Sequence, residues 1–460
     1  MGAGPVGLVT AAGFARLGHH LTVADIDADR IAGLRLGRSP IYEPGLEDAL
    51  REEAAEGRLD YTTDLTPPPE ASFSIVCVGT PTGPDGPLAT DQVESAVAAI
   101  LAAAPVEHVI VVRSTLPVEG PARLTRLVAA REAEAGAGRC AAVVTNPEFM
   151  REGAGLADFD RPSRVVTGFL RPQDRAAAEA AAALYAALGA PTLVADALSV
   201  ALVKLGSNVF LATKIAYANE LARLCDAVGA DVDVVTTGVG LDDRIGRAFL
   251  GPGPGYGGSC LPEQAVALST FAGSLQLRTP VIDAAGLSNV IHQQAIVERV
   301  ARLLGRATRP RTQSPPTPDP AALESPGTAP LSGTRIALLG LAFKAGTDDV
   351  RESPALALAR LLREAGASVV GHDPRASGAA LRADPALEVA PDVATAAARA
   401  DAVVVATEWP DYRSLDWPRI AAAMRGDLVY DARNIVDAGA VHAAGLRLET
   451  LGRRRAAPRP

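Results

Sequence analysis

Gly2-Ala-Gly4-Pro-Val-Gly7 opens a helical pattern at the start of the chain, and this stretch decides the fold. Its glycines permit a tight turn and close approach of a pyrophosphate, whose charge then faces the N-terminus of the following helix. Without a further signal, the run would be only a glycine-rich turn. Here Asp25 follows at the end of the strand-like run Leu21–Ala24. A carboxylate at this spacing accepts hydrogen bonds from ribose hydroxyls and repels a 2′-phosphate, so the pattern favours NAD over NADP.

The position of this glycine turn is unusual, because such a turn normally follows a strand and here it follows Met1 alone. An apolar strand of about five residues would occupy the centre of the sheet. We therefore expect either a translation start upstream of Met1 or a shortened chain. The mass of the native N-terminus tests this expectation, because a native protein that begins at Met1 would refute it.

Short apolar runs alternate with helical stretches rich in Ala and Leu on both sides of a helical middle. The strand-like runs of the first part are Leu21–Ala24, Phe73–Val78, His108–Val112 and Ala141–Val144. After residue 331 the same alternation returns, with runs at Arg335–Leu339, Ser368–His372, Ala402–Ala406 and Leu428–Asp431. Alternation of this kind predicts parallel sheets with helices on both faces.

The stretch between these two parts has a different composition. A long helical pattern covers 198–228 and stops at Gly229, more helix follows to about residue 304, and seven prolines lie within 306–330. We predict an α/β protein with two doubly wound Rossmann-like domains joined by a central helical region. The boundaries expected are 1–197 for the NAD-binding domain, 198–305 for the central region, 306–333 for a proline-rich linker and 334–460 for the second α/β domain.

The composition excludes several classes of protein. The 460 residues carry a net charge of −9 and 4% aromatic side chains, which argues against nucleic acid as a partner. Hydrophobic residues make up 48%, but no uninterrupted apolar run reaches the ~18 residues of a membrane span, and no signal peptide is visible. The four cysteines lack metal-site spacing, so no metal is expected. These features indicate a cytoplasmic enzyme with no membrane partner.

A cysteine between glycines marks the candidate reacting centre, in Gly253-Pro-Gly-Tyr256-Gly257-Gly258-Ser259-Cys260. Flanking glycines let the backbone approach a ligand and leave N–H groups free to bind it. A lone cysteine is otherwise a small buried hydrophobe, which is how we interpret Cys77, Cys140 and Cys225. For Cys260 the pattern favours a nucleophile.

Two further groups carry candidate chemistry. Lys204 and Asn208 lie four residues apart on the long helical pattern and share one face, where an ammonium and an amide can hold an oxyanion. Asn146-Pro-Glu148-Phe-Met-Arg151-Glu152 follows a strand-like run, and the carboxyl ends of strands are where doubly wound sheets bind ligands. The alternatives are a solvated helix face and a charged surface loop.

These motifs together resemble those of the UDP-glucose/GDP-mannose dehydrogenase family. The resemblance covers nearly the whole chain, with the linker as an insertion, and the motifs occur in family order. It rests on Gly2–Gly7, Ala24-Asp-Ile-Asp27, Ile41-Tyr-Glu-Pro-Gly45, Val78-Gly-Thr-Pro-Thr82, Ser114-Thr-Leu-Pro117, Asn146–Gly153, Lys204–Asn208, Gly253–Pro262, Gly340-Leu-Ala-Phe-Lys344, Thr347–Pro354, Thr407-Glu-Trp-Pro410 and Asp431-Ala-Arg433-Asn434.

The resemblance implies a four-electron oxidation of UDP-glucose to UDP-glucuronate, in which two NAD are reduced in turn. Cys260 would hold the sugar first as a thiohemiacetal and then as a thioester. Lys204 and Asn208 would stabilise the oxyanions. Glu148 would assist water or proton transfer, with Thr115 helping to hold that water. The second α/β domain would bind UDP, and the long helix would form the core of a homodimer.

The resemblance also implies two sets of binding residues. NAD would contact a set drawn mostly from the first domain, namely Gly2, Gly4, Pro5, Val6, Gly7, Asp25, Arg30, Thr80, Thr115, Glu152, Glu263 and Arg351. The UDP-sugar would contact residues from all three regions, namely Glu148, Phe149, Met150, Arg151, Lys204, Asn208, Arg244, Phe249, Leu250, Gly251, Pro252, Gly253, Gly257, Phe343, Lys344 and Arg433. The basic members suit a diphosphate.

One departure from the family pattern concerns the residues after the cysteine. The family usually has Lys-Asp where this chain has Glu263 and Gln264, and Gln264, assigned to the catalytic set, cannot take a proton at neutral pH. Two alternatives therefore stay open beside oxidation of UDP-glucose. One is a dehydrogenase of another nucleotide sugar, such as a UDP-N-acetylhexosamine. The other is a catalytically impaired protein that binds nucleotide sugars.

Overall fold

The computed structural model describes residues 1–81, 88–134, 140–306 and 329–453. Within it the chain forms two compact units. The first comprises Met1–Phe210 and Glu263–Thr279, and the second comprises Leu211–Pro262 and Pro280–Pro460. Most of the predicted linker, residues 307–328, lies outside the described residues.

In the part of the first unit that the structure describes, seven strands form two sheets. The order in the larger sheet is β3-β4-β5-β6-β7, and β1 pairs with β2. All neighbours are parallel except β5 and β6. The strands are β1 (Leu21–Ala24), β2 (Leu59–Thr62), β3 (Phe73–Val76), β4 (Val109–Val112), β5 (Ala142–Thr145), β6 (Val165–Phe169) and β7 (Thr192–Asp196).

Seven helices accompany these strands among the described residues of the first unit. Apolar side chains of the first helix are buried against those of its neighbours, so this helix belongs to the core. The helices are α1 (Pro5–Arg16), α2 (Ala28–Arg35), α3 (Leu46–Ala55), α4 (Asp91–Ala103), α5 (Gly120–Glu134), α6 (Gly155–Asp160) and α7 (Arg175–Ala183).

A gap one strand wide separates β1 from β3, and the first two residues of the chain lie at its end. The Gly2 N–H donates to the Ala24 oxygen at 2.8 Å, and the Cys77 N–H donates to the Met1 oxygen at 2.8 Å. The amino group of Met1 donates to the Ile75 oxygen at 2.7 Å. A cavity of about 590 Å³ continues between the strands. The chain thus pairs with both sheets for the length of two residues only.

The second unit contains a complete doubly wound sheet. Its order is β10-β9-β8-β11-β12-β13, with every neighbouring pair parallel. The strands are β8 (Arg335–Leu339), β9 (Ser368–His372), β10 (Glu388–Val389), β11 (Ala402–Val405), β12 (Leu428–Asp431) and β13 (Arg447–Thr450). Apolar clusters on both faces of this sheet pack against α12 (Pro354–Glu364), α13 (Ser377–Ala383), α14 (Val393–Ala397), α15 (Trp417–Ala423) and α16 (Ala438–Ala443).

Four helices form the middle of the chain, and the division between the units falls within two of them. They are α8 (Ala197–Val228), α9 (Val232–Gly240), α10 (Cys260–Ser274) and α11 (Pro280–Leu303). Among the described helices, α8 alone has the length and apolarity of a membrane span, and a third (33%) of its most apolar window is buried. A single such helix is weak evidence for a membrane, because core helices of soluble proteins share these properties.

The gap between β1 and β3 predicts that an added strand stabilises the first unit. Ile-Val-Ile-Val-Ile placed before Met1 is expected to pair with both strands and bury apolar surface in the cavity. A gain of about 2–4 kcal/mol should raise Tm by roughly 5–10 °C in a thermal melt. The matched control is Ile-Pro-Ile-Pro-Ile, because proline cannot donate ladder hydrogen bonds. Equal Tm values for the two extended proteins would contradict strand pairing in the gap.

Candidate active site

The glycine turn is shaped to receive a phosphate group. Gly4 is the N-cap of α1, Pro5 is its first residue, and a side chain at Gly4 would meet no atom within 4 Å. By contrast, a Cβ at Gly7 would lie 1.9 Å from the Gly2 oxygen, so the helix packs on the turn only because Gly7 has no side chain. Val6 and Gly7 contribute N–H groups of the first turn. The open side of Gly4 and the helix N-terminus fit a dinucleotide pyrophosphate.

Asp25 stabilises this turn from the end of β1. Its carboxylate accepts the N–H of Ala3 at 2.6 Å and the N–H of Asp27 at 2.9 Å. The Arg30 guanidinium donates to it at 3.1 Å. Burial raises the pKa of Asp25, but these donors outweigh burial and bring its pKa below the usual range. An ionised Asp25 retains acceptor capacity for ribose hydroxyls.

The other predicted coenzyme residues of the first unit also follow strands. Thr80 comes after β3, Thr115 after β4 and Glu152 after β5, and all three are partly exposed. The Ser114 hydroxyl donates to the Val78 oxygen at 2.7 Å, which joins the carboxyl ends of β3 and β4. The structure therefore places these residues at one edge of one sheet. Glu263 lies in the first turn of α10.

A buried ion pair joins α8 to the loop after β5. The Lys204 ammonium donates to the Glu148 carboxylate at 2.8 Å and to the Glu148 backbone oxygen at 2.6 Å. The side chains are 3% and 8% exposed, and the second carboxylate oxygen accepts the Met150 N–H at 2.6 Å. Burial raises the pKa of Glu148, but Lys204 and the Met150 N–H outweigh it and lower the pKa. Glu148 is thus an anion at neutral pH.

Two cationic side chains lie close to the ring of Phe149, which belongs to the same loop. The Arg164 guanidinium carbon lies 3.8 Å from the ring centroid, and the Lys204 nitrogen lies 5.3 Å from it. Arg164 was absent from the predicted site, because no motif in the sequence marks it. Arg151 makes a bidentate pair with Asp158, and its binding of substrate stays a prediction.

A pair of neutral amides lies one helical turn beyond Lys204. Asn208 donates from its side-chain nitrogen to the Gln264 oxygen at 2.9 Å, and Gln264 is 4% exposed. The structure therefore brings Glu148, Lys204, Asn208 and Gln264 together in the first unit, as two pairs linked through α8. Both amides are neutral, so they can hydrogen-bond to each other but neither can act as a proton acceptor at neutral pH.

Glu43 is a further residue of this unit that the predicted site lacked. Its carboxylate accepts the N–H of Gly153 at 2.7 Å and that of Gly155 at 2.8 Å, so it closes the loop that follows Glu148. Its motif, Ile41-Tyr-Glu-Pro-Gly45, was part of the family resemblance. The sequence signalled the importance of Glu43 but not its contacts.

In the second unit, the glycine loop before the cysteine is held by side chains of α8 and α11. Asn219 accepts the Gly253 N–H at 2.9 Å, and Asn289 accepts the Tyr256 N–H at 2.9 Å. His292 contacts the Gly253 oxygen at 2.7 Å, and burial lowers its pKa to about 4, so the imidazole is neutral and donates. A Cβ at Gly257 would lie 2.1 Å from the Glu352 oxygen. The loop conformation therefore requires glycine.

Cys260 is exposed and is the first residue of α10. A thiolate at a helix N-terminus is favoured by the positive end of the helix dipole. Cys225 is buried as predicted, and Cys140 is partly exposed, so the interpretation of Cys140 as a buried hydrophobe was wrong. Cys77 is partly exposed as a residue, although burial around its thiol raises the pKa of that thiol.

Residues predicted to bind UDP lie at the switch point of the second sheet. Phe343 and Lys344 follow β8, and Arg433 follows β12. Arg433 donates to the Ala406 oxygen at 2.9 Å and pairs with Glu408 at 3.0 Å. These positions follow strands on either side of the point where strand order reverses, which is where doubly wound sheets bind ligands.

The remaining predicted residues of the second unit pair with neighbouring carboxylates or lie in the loop before the cysteine. Arg244 is 89% exposed and pairs with Asp242, and Arg351 pairs with Asp349. Leu250 is buried, and Phe249 has a φ of 63°, a strained backbone for this residue type. Gly251 and Pro252 complete that loop. No group of three potential metal ligands occurs among the described residues.

The first unit has a glycine turn with an acidic partner. The second unit has a doubly wound sheet and a cysteine that follows a loop requiring glycine. These features are typical of a nucleotide-dependent oxidoreductase. Three domain models of one family match the chain. They are the NAD binding domain over residues 1–189, the central domain over 199–290 and the UDP binding domain over 337–438. The chain belongs to the UDP-glucose/GDP-mannose dehydrogenase family, and its coenzyme is NAD.

Three relatives can be aligned with this chain over almost their whole length. A UDP-glucose 6-dehydrogenase of Rhizobium meliloti is 37% identical, with 98% of both chains covered. One of Haloferax volcanii is 37% identical over 95% of this chain and 96% of its own. A solved structure of a UDP-glucose dehydrogenase from Pyrobaculum islandicum is 36% identical, has a TM-score of 0.81, and covers 98% of this chain and 96% of its own.

The buried ion pair predicts a pH-dependent loss of stability in Lys204→Met. At pH 7 the variant should lose about 3–5 kcal/mol of unfolding free energy, because Glu148 is left buried without its cation. The lowered pKa of Glu148 stabilises the fold above the ordinary value of 4.5, and this contribution disappears as pH falls through the folded-state pKa. The difference from wild type should therefore narrow below about pH 4.5 in urea titrations.

The control for this experiment is the double variant Lys204→Met/Glu148→Gln. It removes both charges and should be more stable at pH 7 than Lys204→Met alone, because no unpaired carboxyl remains. A loss of stability that is equal at pH 7 and pH 4 would show that the ion pair is not its cause.

Proposed function

We propose that this protein oxidises the C6 hydroxyl of UDP-glucose to a carboxylate in two NAD-dependent steps, releasing UDP-glucuronate. Membership of the family and two relatives named UDP-glucose 6-dehydrogenase at 37% identity support this substrate. The observation that carries the proposal is the exposed Cys260 at the start of α10, behind a loop that admits only glycine. A two-step oxidation needs such a thiol to hold the aldehyde between its two halves.

Different steps of the proposed oxidation depend on different groups, and Cys260 carries the covalent steps. When bound, NAD would supply the acceptor for the two hydrides that leave C6, one from the alcohol and one from the adduct with the thiol, so each turnover needs two NAD. Cys260 attacks the aldehyde to form a thiohemiacetal, which becomes a thioester after the second oxidation. Water then cleaves the thioester, and the sulfur leaves as the restored thiolate.

Charged and amide groups of the first unit stabilise these species. The Lys204 ammonium and the Asn208 amide donate to the oxyanion that forms on C6. Glu148 is ionised, so it can accept a proton from the attacking water, with Thr115 as a partner of that water. Gln264 orients Asn208 through the 2.9 Å hydrogen bond between them.

The remaining binding roles and the domain division are part of the same proposal. Asp25, Arg30 and the glycine turn hold NAD, and Phe343, Lys344 and Arg433 hold UDP. Residues 1–197 form the NAD-binding domain and 334–460 the UDP-binding domain, with 198–305 between them. A cytoplasmic location stays a prediction from the sequence.

Gln264 favours one second candidate, a protein that binds nucleotide sugars but hydrolyses the thioester poorly. With an amide at this position, proton transfer rests on Glu148 alone. The two functions differ in the product they leave: free UDP-glucuronate in one case, and a thioester on Cys260 in the other.

The stoichiometry of NADH formation tests the proposed function. Wild type is expected to form two NADH per UDP-glucose consumed, measured at 340 nm alongside product analysis. Cys260→Ser should release no UDP-glucuronate, because an alkoxide is a poor replacement for the thiolate. Cys140→Ser, which alters another accessible thiol, is the matched control and should keep the ratio of two.

The same assay separates the alternatives. A higher kcat/KM with a UDP-N-acetylhexosamine than with UDP-glucose or UDP-galactose would replace the substrate proposed here. UDP-glucose that binds without any NADH formation would identify a binding protein. A protein adduct on Cys260, found by mass spectrometry after one turnover, would show that hydrolysis is the blocked step.

A homodimer built on α8 is also proposed. Phe210, Tyr217 and Leu224 are 64%, 49% and 60% exposed and lie seven residues apart on this helix. Large apolar side chains at this spacing form a seam that suits a second helix. A second copy of the same chain supplies such a helix, and a symmetric dimer is the commonest assembly of soluble proteins.

Charge on this seam should separate the dimer. Tyr217→Glu/Leu224→Glu is expected to shift the mass in light scattering from twice 47.2 kDa to 47.2 kDa, because two carboxylates cannot be buried unpaired. Val106→Glu, at an exposed apolar residue of another region, should leave the mass unchanged. A wild type that is monomeric at micromolar concentration would remove the proposal.

A further inference from the structure

Arg113 is a buried cation directly after β4, at the carboxyl edge of the first sheet. The residue is 5% exposed, and its guanidinium nitrogens donate to side chains from three parts of the first unit. One bond goes to the Thr10 hydroxyl in α1 at 2.9 Å. Two others go to the Asn146 side-chain oxygen and to the Tyr185 hydroxyl, both at 2.8 Å.

The partners of Arg113 lie on both sides of Glu148. Asn146 is two residues before Glu148, and the Met150 sulfur, 3.8 Å from an Arg113 nitrogen, is two residues after it. Asn146 also donates to the Val166 oxygen at 2.8 Å and accepts the Tyr185 hydroxyl at 2.7 Å. One guanidinium therefore contacts both ends of the segment that carries Glu148.

The groups that accept these hydrogen bonds are a hydroxyl, an amide, a phenol and a thioether, and all of them are neutral. Burial of a charge among neutral groups costs free energy that a purely structural contact can avoid. A planar guanidinium does what a neutral side chain cannot, because it presents several donors in a fixed fork and adds a positive charge.

We propose that Arg113 is a positioning residue, whose fork fixes the Glu148 loop relative to helix α1 of the coenzyme turn and whose positive charge adds to that of Lys204 around Glu148. The proposal rests on the proposed function for its catalytic consequence. Placement of the coenzyme helix and placement of the carboxylate then depend on one side chain. The first can be measured through NADH binding and the second through the pH dependence of turnover.

The charges around Glu148 support the second half of this proposal. Lys204 contributes most to lowering its pKa among the charges, and Arg113 acts in the same direction. Arg113 also faces Cys77 and Tyr185, but burial raises the pKa of both, so they are neutral near pH 7. The cluster at neutral pH thus holds two cations and one carboxylate. Removal of Arg113 leaves one cation to hold that carboxylate.

Three substitutions separate the fork from the charge. Arg113→Met removes both, Arg113→Lys keeps the charge without the fork, and Thr10→Val removes a single acceptor with little change in volume. Arg171 is the matched control, because it is a largely buried arginine of the same unit whose partners are Asp174 and Glu132. Arg171→Met and Arg171→Lys report the effect of destabilisation alone.

Turnover of wild type and variants is measured from pH 3.5 to 9, and NADH affinity by its fluorescence. Arg113→Met should lower kcat at least 10-fold and raise the Kd of NADH about 10-fold, the cost of a small displacement of bound groups. The acid limb of its plot of kcat against pH, which reports protonation of Glu148, should move up by about one pH unit. Arg113→Lys should restore the wild-type limb but not kcat, and Thr10→Val should weaken NADH binding without moving the limb.

The outcomes distinguish this proposal from the proposed function. If wild type forms no NADH from UDP-glucose, the function fails, and NADH binding by Thr10→Val and Arg113→Lys still decides the role of the fork. If wild type turns over, an unmoved acid limb in folded Arg113→Met overturns the role of the charge. A limb that moves equally in Arg171→Met overturns it as well. Unchanged NADH affinity in Thr10→Val and Arg113→Lys overturns the role of the fork.

Discussion

The ion pair between Lys204 and Glu148 is the constraint on which the rest of the candidate site depends. Two charges leave water only if further hydrogen bonds satisfy them. Here the ammonium also binds the Glu148 backbone oxygen, and the carboxylate also accepts the Met150 N–H. Because these bonds involve both backbone and side chain, the loop after β5 has one conformation against α8. The groups assigned to proton transfer and to oxyanion binding are therefore set in place by the fold of the first unit itself.

The chemistry-bearing residues follow from the topology of parallel sheets. In such a sheet the carboxyl ends of the strands meet at one edge, so loops that are distant in sequence become neighbours. Asp25, Thr80, Thr115 and Glu148 follow four different strands of the first unit. Phe343 and Arg433 repeat the arrangement in the second unit, after β8 and β12. The glycine-rich segments supply what strands cannot, which is backbone that approaches a neighbour without a side chain between them.

Much of the fold could be predicted from the sequence, because apolar runs that alternate with helical stretches have few stable solutions. The strands Arg335–Leu339, Ser368–His372 and Leu428–Asp431 were predicted to the residue. The expectation for Phe73–Val78 was two residues too long, since β3 ends at Val76 and the Cys77 N–H that follows it donates to the Met1 oxygen. The antiparallel contact of β5 with β6 had no signal in the sequence, because periodicity does not reveal strand direction.

The site was less predictable, because motifs identify residues but not their partners. The spacing of Lys204 and Asn208 correctly placed them on one helix face, yet their contacts with Glu148 and Gln264 depend on residues 56 positions away in either direction. Arg151 has the chemistry of a diphosphate ligand, but nothing in its motif indicates that its guanidinium pairs with the carboxylate of Asp158. Arg113 and Arg164 belong to no glycine or cysteine motif, and only the packing of the loop after β5 reveals them.

The substitution of an amide at position 264 becomes intelligible beside the ion pair. A second carboxylate there would lie one helical turn from Lys204, where it would compete with Glu148 for the ammonium and raise the cost of burial. Gln264 instead accepts one hydrogen from Asn208 and carries no charge, so the full attraction of Lys204 stays with Glu148. The pair therefore has one carboxylate, Glu148, which is ionised, and it has no second proton acceptor at position 264. Under the proposed function, hydrolysis would therefore depend on Glu148 more than hydride transfer does.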